Sequence, residues 1–381
     1  MKEQSISIYD DYVDDEYVVT EGEGFFSPFT FLCSVLVLFF FGLISIFSAT
    51  MDMAINKGLP FYSYMAKEVL GAFVGLLFGI LTIWIPEKIL KRIHFVSAPI
   101  SILLLSLSKF VPSCGFLALS GGVFSIFTLI FLISWAVPFV KERERKGFPL
   151  LVIIPLSIIF LSFVGYSAGL GWYVLGLIII MASASQFKAG KGYLFFFALT
   201  GIILLVILIS FVPSLFNSVA SSVFPVDDPS LYSKDILISR MAIRDGGISG
   251  SGLGQGLYKL GALENPSGEY IFSTIFEETG LIGLFIILFP SVIILIVGIR
   301  TANRARAKNN LSVSSTVIGS VSFIVFSVLM NILRVIGFNP FGGVMLPFFS
   351  YDPISEGVFV FLSVVLYRLI YKEGRQKNDK E

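Results

Sequence analysis

The chain has 381 residues, of which 55% are hydrophobic and 14% charged, and its mean hydropathy is +0.88. That composition excludes a soluble globular domain of ordinary usage and marks a polytopic, all-α membrane protein. A net charge of +1, with no long basic block, gives no case for nucleic acid. Cys33 and Cys114 lack C-x-x-C spacing, so neither a disulfide nor a zinc site is expected, and His94 beside Lys91 and Arg92 reads as an interfacial side chain.

Residues 1–24 carry eight acidic groups, Glu3 and seven from Asp10 to Glu23, against Lys2. Too charged to build a core, they read as a disordered tail with no cleavable signal. Apolar runs long enough to cross the hydrocarbon as helix then recur near 28–49, 66–85, 93–111, 116–139, 148–165, 170–187, 193–213, 270–299, 314–337 and 354–371. Ten spans, filling a membrane domain over 25–372, put both ends on one side. Cations follow every even span: Lys88, Lys91 and Arg92; Lys141 to Lys146; Lys188 and Lys191; Arg300 to Lys308; and Lys372 onward into a short tail at 373–381. The short odd connections are nearly bare, so both termini are expected in the cytoplasm and the segment 214–269 outside.

That outer segment is the one long polar interruption. Its stretch 230–245 reads as an amphipathic interfacial helix, with Leu231, Ile238, Met241 and Ala242 toward lipid and Arg240 and Arg244 four residues apart on one face. Two guanidiniums at headgroup depth suit a pyrophosphate, and equally an ordinary phospholipid. Gly250, Gly252, Gly254 and Gly256 follow at alternate positions, an irregular turn that lets backbone approach a ligand and is expected to be mobile until one binds. Glu269 then stands at the mouth of the next span, where it reads either as a general base or as a solvated helix-start carboxylate. Inside the membrane, Glu277 and Glu278 near the outer end of span eight and Arg334 near the outer end of span nine come to similar depth, which predicts a buried charge pair.

Three stretches carry a family resemblance. MAIRDGGISGSGLGQG (241–256) is similar to A-I-x-x-G-G-x-x-G-x-G-L-G-x-G, and GEYIFSTIFEETGLIG (268–283) to T-D-F-I-F-A-x-I-x-E-E-x-G-x-x-G. Asn331, Gly337, Pro340, Gly343, Leu346, Pro347, Ser350 and Tyr351 keep the spacing N-x5-G-x2-P-x2-G-x2-L-P-x2-S-Y. The chain thereby resembles the SEDS proteins, the RodA, FtsW and SpoVE type of peptidoglycan glycosyltransferase, as a divergent member. The resemblance implies a ten-span enzyme of the bacterial cytoplasmic membrane that polymerises lipid II, a disaccharide-pentapeptide on undecaprenyl pyrophosphate. It implies a class B penicillin-binding transpeptidase and other division or elongation proteins as partners. It names no certain cofactor and leaves a divalent cation open.

Glu269 holds the position of the family's catalytic aspartate, so the resemblance makes it the catalytic residue. Arg240, Arg244, Gly252, Gly254, Lys259 and Ser350 become the substrate-binding set. Departures are several: Leu263 to Ser267 replace L-P-E-x-H, SCGFLALSGGVFS stands where G-A-x-R-W and Q-P-S-E are expected, FVGYSAGLGWY replaces Q-P-D-L-G-T, and Asp352 and Pro353 interrupt S-Y-G-G-S-S. Two further readings therefore stand beside the polymerase: a catalytically inactive scaffold that binds lipid II or a transpeptidase, and a lipid-linked oligosaccharide transporter.

Overall fold

A computed structural model describes residues 27–93, 95–97, 99–100, 103–104, 116–142, 174, 176, 178–179, 182, 234–263, 265–338 and 344–378. Among these, secondary structure is wholly helical: α1 Pro28–Asn56, α2 Ser63–Leu81, a short α3 Glu87–Leu90, α4 Phe116–Glu142, α5 Lys234–Gly246, α6 Ile271–Ala307, α7 Leu311–Val335 and α8 Pro353–Asn378. Five of them are long and apolar enough to cross a membrane: α1, α2, α6, α7 and the Pro353–Gly374 part of α8. They coincide with the expected spans one, two, eight, nine and ten, and α4 falls on span four. The acidic tail, the expected spans at 148–165 and 193–213, most of 93–111 and of 170–187, and 214–233 lie outside the described residues.

α1 begins cleanly because Ser27 and Thr30 form a reciprocal capping box ahead of Pro28. α2 ends at Thr82, where the Arg368 guanidinium from α8 donates to the carbonyls of Thr82 and Ile85 that the helix leaves over. The two helices meet along a stripe the sequence writes as Gly71, Gly75 and Gly79. A Cβ at Gly71 would strike the Pro353 carbonyl and one at Gly75 the Gly357 carbonyl, so only glycine permits this approach. In lipid, where apolar surface alone does not drive helices together, such close backbone contact supplies the association. Gly75→Leu is expected to cost about 1–3 kcal/mol or more through overpacking against backbone. Thermal unfolding of the detergent-solubilised protein checks this, with Gly374→Ala, which meets nothing within 4 Å, as the unaffected control.

α6 is the central element. Its 37 residues amount to roughly 55 Å of helix, longer than the hydrocarbon, and it contacts α1, α5, α7 and α8. It is not continuous: Gly280 has φ 60 and ψ −144, which divides a first piece, 271–279, from the rest of the helix. At the far end Lys308 pairs with Glu373 of α8 at 2.8 Å.

α5 corrects one expectation. Ile236, Ser239, Ala242 and Gly246 are buried against α6 and α7, so Ala242 faces protein, while Met241 remains exposed.

Candidate functional site

The break at Gly280 explains how the glycine-rich loop is held. With the helix interrupted, the carbonyls of Glu277 and Glu278 are free to accept, and the loop supplies donors: Ser251 N to Glu277 O at 2.8 Å and Gly252 N to Glu278 O at 3.0 Å. Leu281 N donates back to Ile248 O at 3.0 Å, and the Ser251 hydroxyl adds a bond to Glu277 O at 2.9 Å. A Cβ at Gly250 would run into Glu278 backbone, and one at Gly280 into Ile248 and Gly250 backbone. The segment 246–252 is thus an annealed strap, where the glycine pattern had suggested a mobile turn. Gly252 ends the strap and Gly254 lies beyond it, both exposed, with φ of 105 and 81.

A second anchor lies seven residues on from Gly252. Lys259 Nζ reaches Glu278 Oε1 at 2.7 Å, with side-chain exposures of 1% and 2%. It also donates to the Ser48 hydroxyl at 2.9 Å and carbonyl at 3.0 Å, while Ser48 donates to the Glu278 carboxylate at 2.7 Å. Glu277 turns to the loop backbone, accepting from Leu257 N at 2.5 Å and Tyr258 N at 3.3 Å. The expected pairing with Arg334 therefore does not form. Arg334 lies over the Tyr270 ring, 5.9 Å from its centroid, and donates to that hydroxyl at 3.3 Å. Comparable depth was a sound criterion, but a loop lysine folded back onto the helix break reaches Glu278 first. Lys259, expected at a substrate phosphate, is instead buried inside this pair.

The arginines part company. Arg240, half-buried, donates from Nε to Ile336 O at 2.9 Å and so caps the end of α7. Arg244 is 77% exposed and pairs with Asp245 at 3.0 Å. Asp245 in turn accepts from the Tyr258 hydroxyl at 2.6 Å. That bond first, and Arg244 second, hold the Asp245 carboxyl below its usual range, while the same contact pushes the Tyr258 phenol up.

Glu269 sits half-buried just before α6, and the turn that carries it is clamped from three directions. Asn331 Nδ2 of α7 donates to Glu269 O at 3.1 Å and to Val344 O at 2.7 Å. The Ser350 hydroxyl donates to Gly268 O at 3.0 Å while accepting from Leu346 N at 2.9 Å. Tyr351 N donates to Ser267 O at 2.8 Å. Ser350 is thus buried as a fastening for the turn, away from the substrate-facing place expected of it. The three sequence stretches that stood apart in the chain converge here: the third grips the second by its backbone, and the first lies across the helix that the second begins. A carboxylate on a turn so fixed, at the start of a span, can take a proton from an incoming hydroxyl if a donor is presented to it.

The chain is matched over residues 29–374 by the family profile described as "Cell cycle protein", that of FtsW, RodA and SpoVE. The protein belongs to this family. Stage V sporulation protein E of Bacillus subtilis is 28% identical over 342 residues, 84% of this chain and 90% of that one. A protein of Borreliella burgdorferi named "Probable peptidoglycan glycosyltransferase FtsW" is 25% identical over 359 residues, 89% and 94% of the respective chains. Among solved structures, a chain of a peptidoglycan synthase complex, described for its coordination of polymerization and crosslinking, superposes with a TM-score of 0.62. It is 16% identical and covers 90% of this chain and 98% of its own. The rod shape determining protein RodA of Thermus thermophilus superposes at 0.52, with 18% identity and coverage of 89% and 95%. These likenesses establish a SEDS fold in an integral membrane protein.

Sequence reasoning missed Glu68, Ser120 and Glu356, which gather around Asp352 beside the clamp. Each lies in an apolar run, Glu68 beside Lys67 and Glu356 beside Ser355, and a run is read by its average. An apolar groove of about 320 Å³ between α1, α2 and α8, lined by residues such as Phe31, Phe39, Ala72 and Val364, includes none of the expected site residues.

Proposed function

We propose that the chain is a peptidoglycan glycosyltransferase that polymerises lipid II, with Glu269 as general base for the acceptor hydroxyl. The observation that carries this reading is the convergence of Asn331, Ser350 and Tyr351 on the backbone around Glu269. A carboxylate needs such fixing if it is to meet a reacting hydroxyl within hydrogen-bond reach. The curated relatives named as peptidoglycan glycosyltransferases support the enzyme over the scaffold and transporter readings. Basic residues after the even spans support cytoplasmic termini in the bacterial cytoplasmic membrane, which puts Glu269 and the glycine loop outside. On that side Arg244, exposed beside the loop, and the exposed turn at Gly252 and Gly254 are the groups placed to meet a pyrophosphate headgroup. Arg240, Lys259 and Ser350 support the site from beneath.

The synthase complex among the structural relatives supports a penicillin-binding transpeptidase as partner, in division or elongation. Purified protein in bilayers, supplied with labelled lipid II alone and then with its class B transpeptidase, is expected to yield glycan strands. No polymer under either condition, with the chain folded, overturns the reading.

A further inference from the structure

At the junction of α2, α4 and α8 three carboxylates are buried together. Glu68 and Asp352 are 0% exposed and Glu356 2%; the Asp352 amide reaches toward Glu68 Oε1 at 3.4 Å, and Glu356 N donates to Asp352 O at 2.9 Å, one helical turn on. Asp352 is well supplied with donors: the Ser120 and Ser355 hydroxyls at 2.5 Å each, Ile354 N at 3.1 Å and the Ser355 amide. Its neighbours are not. Glu68 Oε1 accepts only a long bond, 3.4 Å, from Asp352 N, and Glu68 Oε2 and Glu356 Oε1 are buried without a partner.

Among the described residues, the other ionisable groups facing the cluster are Tyr64 from α2 and Tyr351, whose rings stand edge to face at 5.0 Å. Burial first, then the Glu68 charge, pushes Tyr351 up to about 12, so it brings no charge of its own. Among the described residues, Lys57 and Lys67 lie over the Tyr64 ring, 5.8 and 5.6 Å from its centroid, and neither pairs with a carboxylate of the cluster. Three unscreened negative charges at such a site are untenable, because like charges in low dielectric raise one another's proton affinity. Burial pushes the Asp352 carboxyl up, and the Ser120, Ser355 and Ile354 donors oppose that; neither glutamate has donors to match them, so a single retained charge falls to Asp352.

We propose that Glu68 and Glu356 are positioning residues that hold protons beside an ionised Asp352, and that the neutral pair keeps the Ser350–Tyr351 clamp seated on the turn bearing Glu269. The link is covalent and short: Asp352 follows directly on Tyr351, whose amide holds Ser267 O, and lies two residues from Ser350, whose hydroxyl holds Gly268 O. A second charge on Glu68, which accepts from the Asp352 amide, pushes Asp352 away and drags the clamp with it. The activity consequence rests on the polymerase reading above; the clamp consequence does not. Deprotonation of Glu269 controls the acid side of a rate profile, so this cluster is read on the alkaline side.

The experiment compares the parent with Glu68→Gln/Glu356→Gln, which mimics the protonated acids permanently, in lipid bilayers. Polymerisation of lipid II by the parent is expected to fall as pH is raised above neutrality, while the double variant keeps its neutral-pH rate and loses the alkaline fall. Superimposable alkaline limbs in the two proteins overturn the proposal. Hydrogen exchange of the Tyr351 amide, corrected for the intrinsic effect of pH, provides a readout independent of activity and needs only the parent if the variant fails to fold. Protection that declines with pH in the parent supports the clamp, and protection that stays constant overturns it. A parent that never polymerises at any pH defeats the functional reading, and exchange still decides the cluster.

Discussion

Glu269→Gln is expected to lower polymerisation by about 10² to 10⁴, the usual worth of general-base assistance, with normal yield and thermal stability. The separation follows from how the turn is fastened. Asn331, Ser350 and Tyr351 all grip main-chain oxygens at Ser267, Gly268 and Glu269, so removing the carboxylate charge leaves every one of those bonds in place. Glu269→Asp is the informative companion. It restores the residue type that the resemblance places in this position and withdraws the carboxylate by about 1.5 Å, one bond length along the side chain. Retained or increased activity in the aspartate variant, set against loss in the glutamine variant, identifies the carboxylate as the reacting group. Rates are measured with labelled lipid II at saturating and limiting concentration. A glutamine variant as active as the parent removes Glu269 from the mechanism.

The second large effect is expected at Lys259. Its ammonium is all but excluded from solvent against Glu278, and removing one partner of a buried pair typically costs about 3–5 kcal/mol, because the other charge is left uncompensated. Lys259→Met should therefore sharply reduce folded yield and the thermal midpoint. Glu278→Gln should do the same by stranding the lysine. The combination of Lys259→Met with Glu278→Gln removes both charges, leaves Ser48 a neutral amide to bond, and is expected to recover much of the loss. Thermal unfolding of the three variants in detergent forms a double-mutant cycle. Additive losses would show that the pair does not act as a unit, and a stable Lys259→Met would leave the lysine free for the substrate role first expected of it.

The two residues also show where reading the sequence succeeds and where it stops. Hydrophobic runs at 28–49, 270–299 and 314–337 gave helices because span length is set by the bilayer and leaves little freedom. The glycine stretch, GEYIF and the Asn331 to Tyr351 spacing were visible because each is local. What none of them states is which distant backbone each will meet. The partner of Glu278 was assigned by membrane depth, which cannot see that a loop returns over a helix broken at Gly280. The Gly71, Gly75 and Gly79 stripe was on the page as plainly as any motif. Counting it only as apolar length concealed the contact with α8 that brings Glu68 to Asp352.

The strap across α6 has a further consequence, in the vocabulary of insertions and deletions. Between Gly246 and Gly252 the loop is in strict register with the carbonyls of Glu277 and Glu278, and between Gly256 and Lys259 it is pinned again by the side chains of the same two residues. Either stretch, lengthened by a single residue, would offer its donors to the wrong acceptors. The intervals 253–255 and 260–262 are exposed or only partly covered, and nothing lies within 4 Å of a Cβ built at Gly254 or Gly261. Chain length in this loop can therefore drift at those two intervals without moving either anchor, and 260–262, clear of the glycines set toward the headgroup, is the place to graft a tag or a reporter.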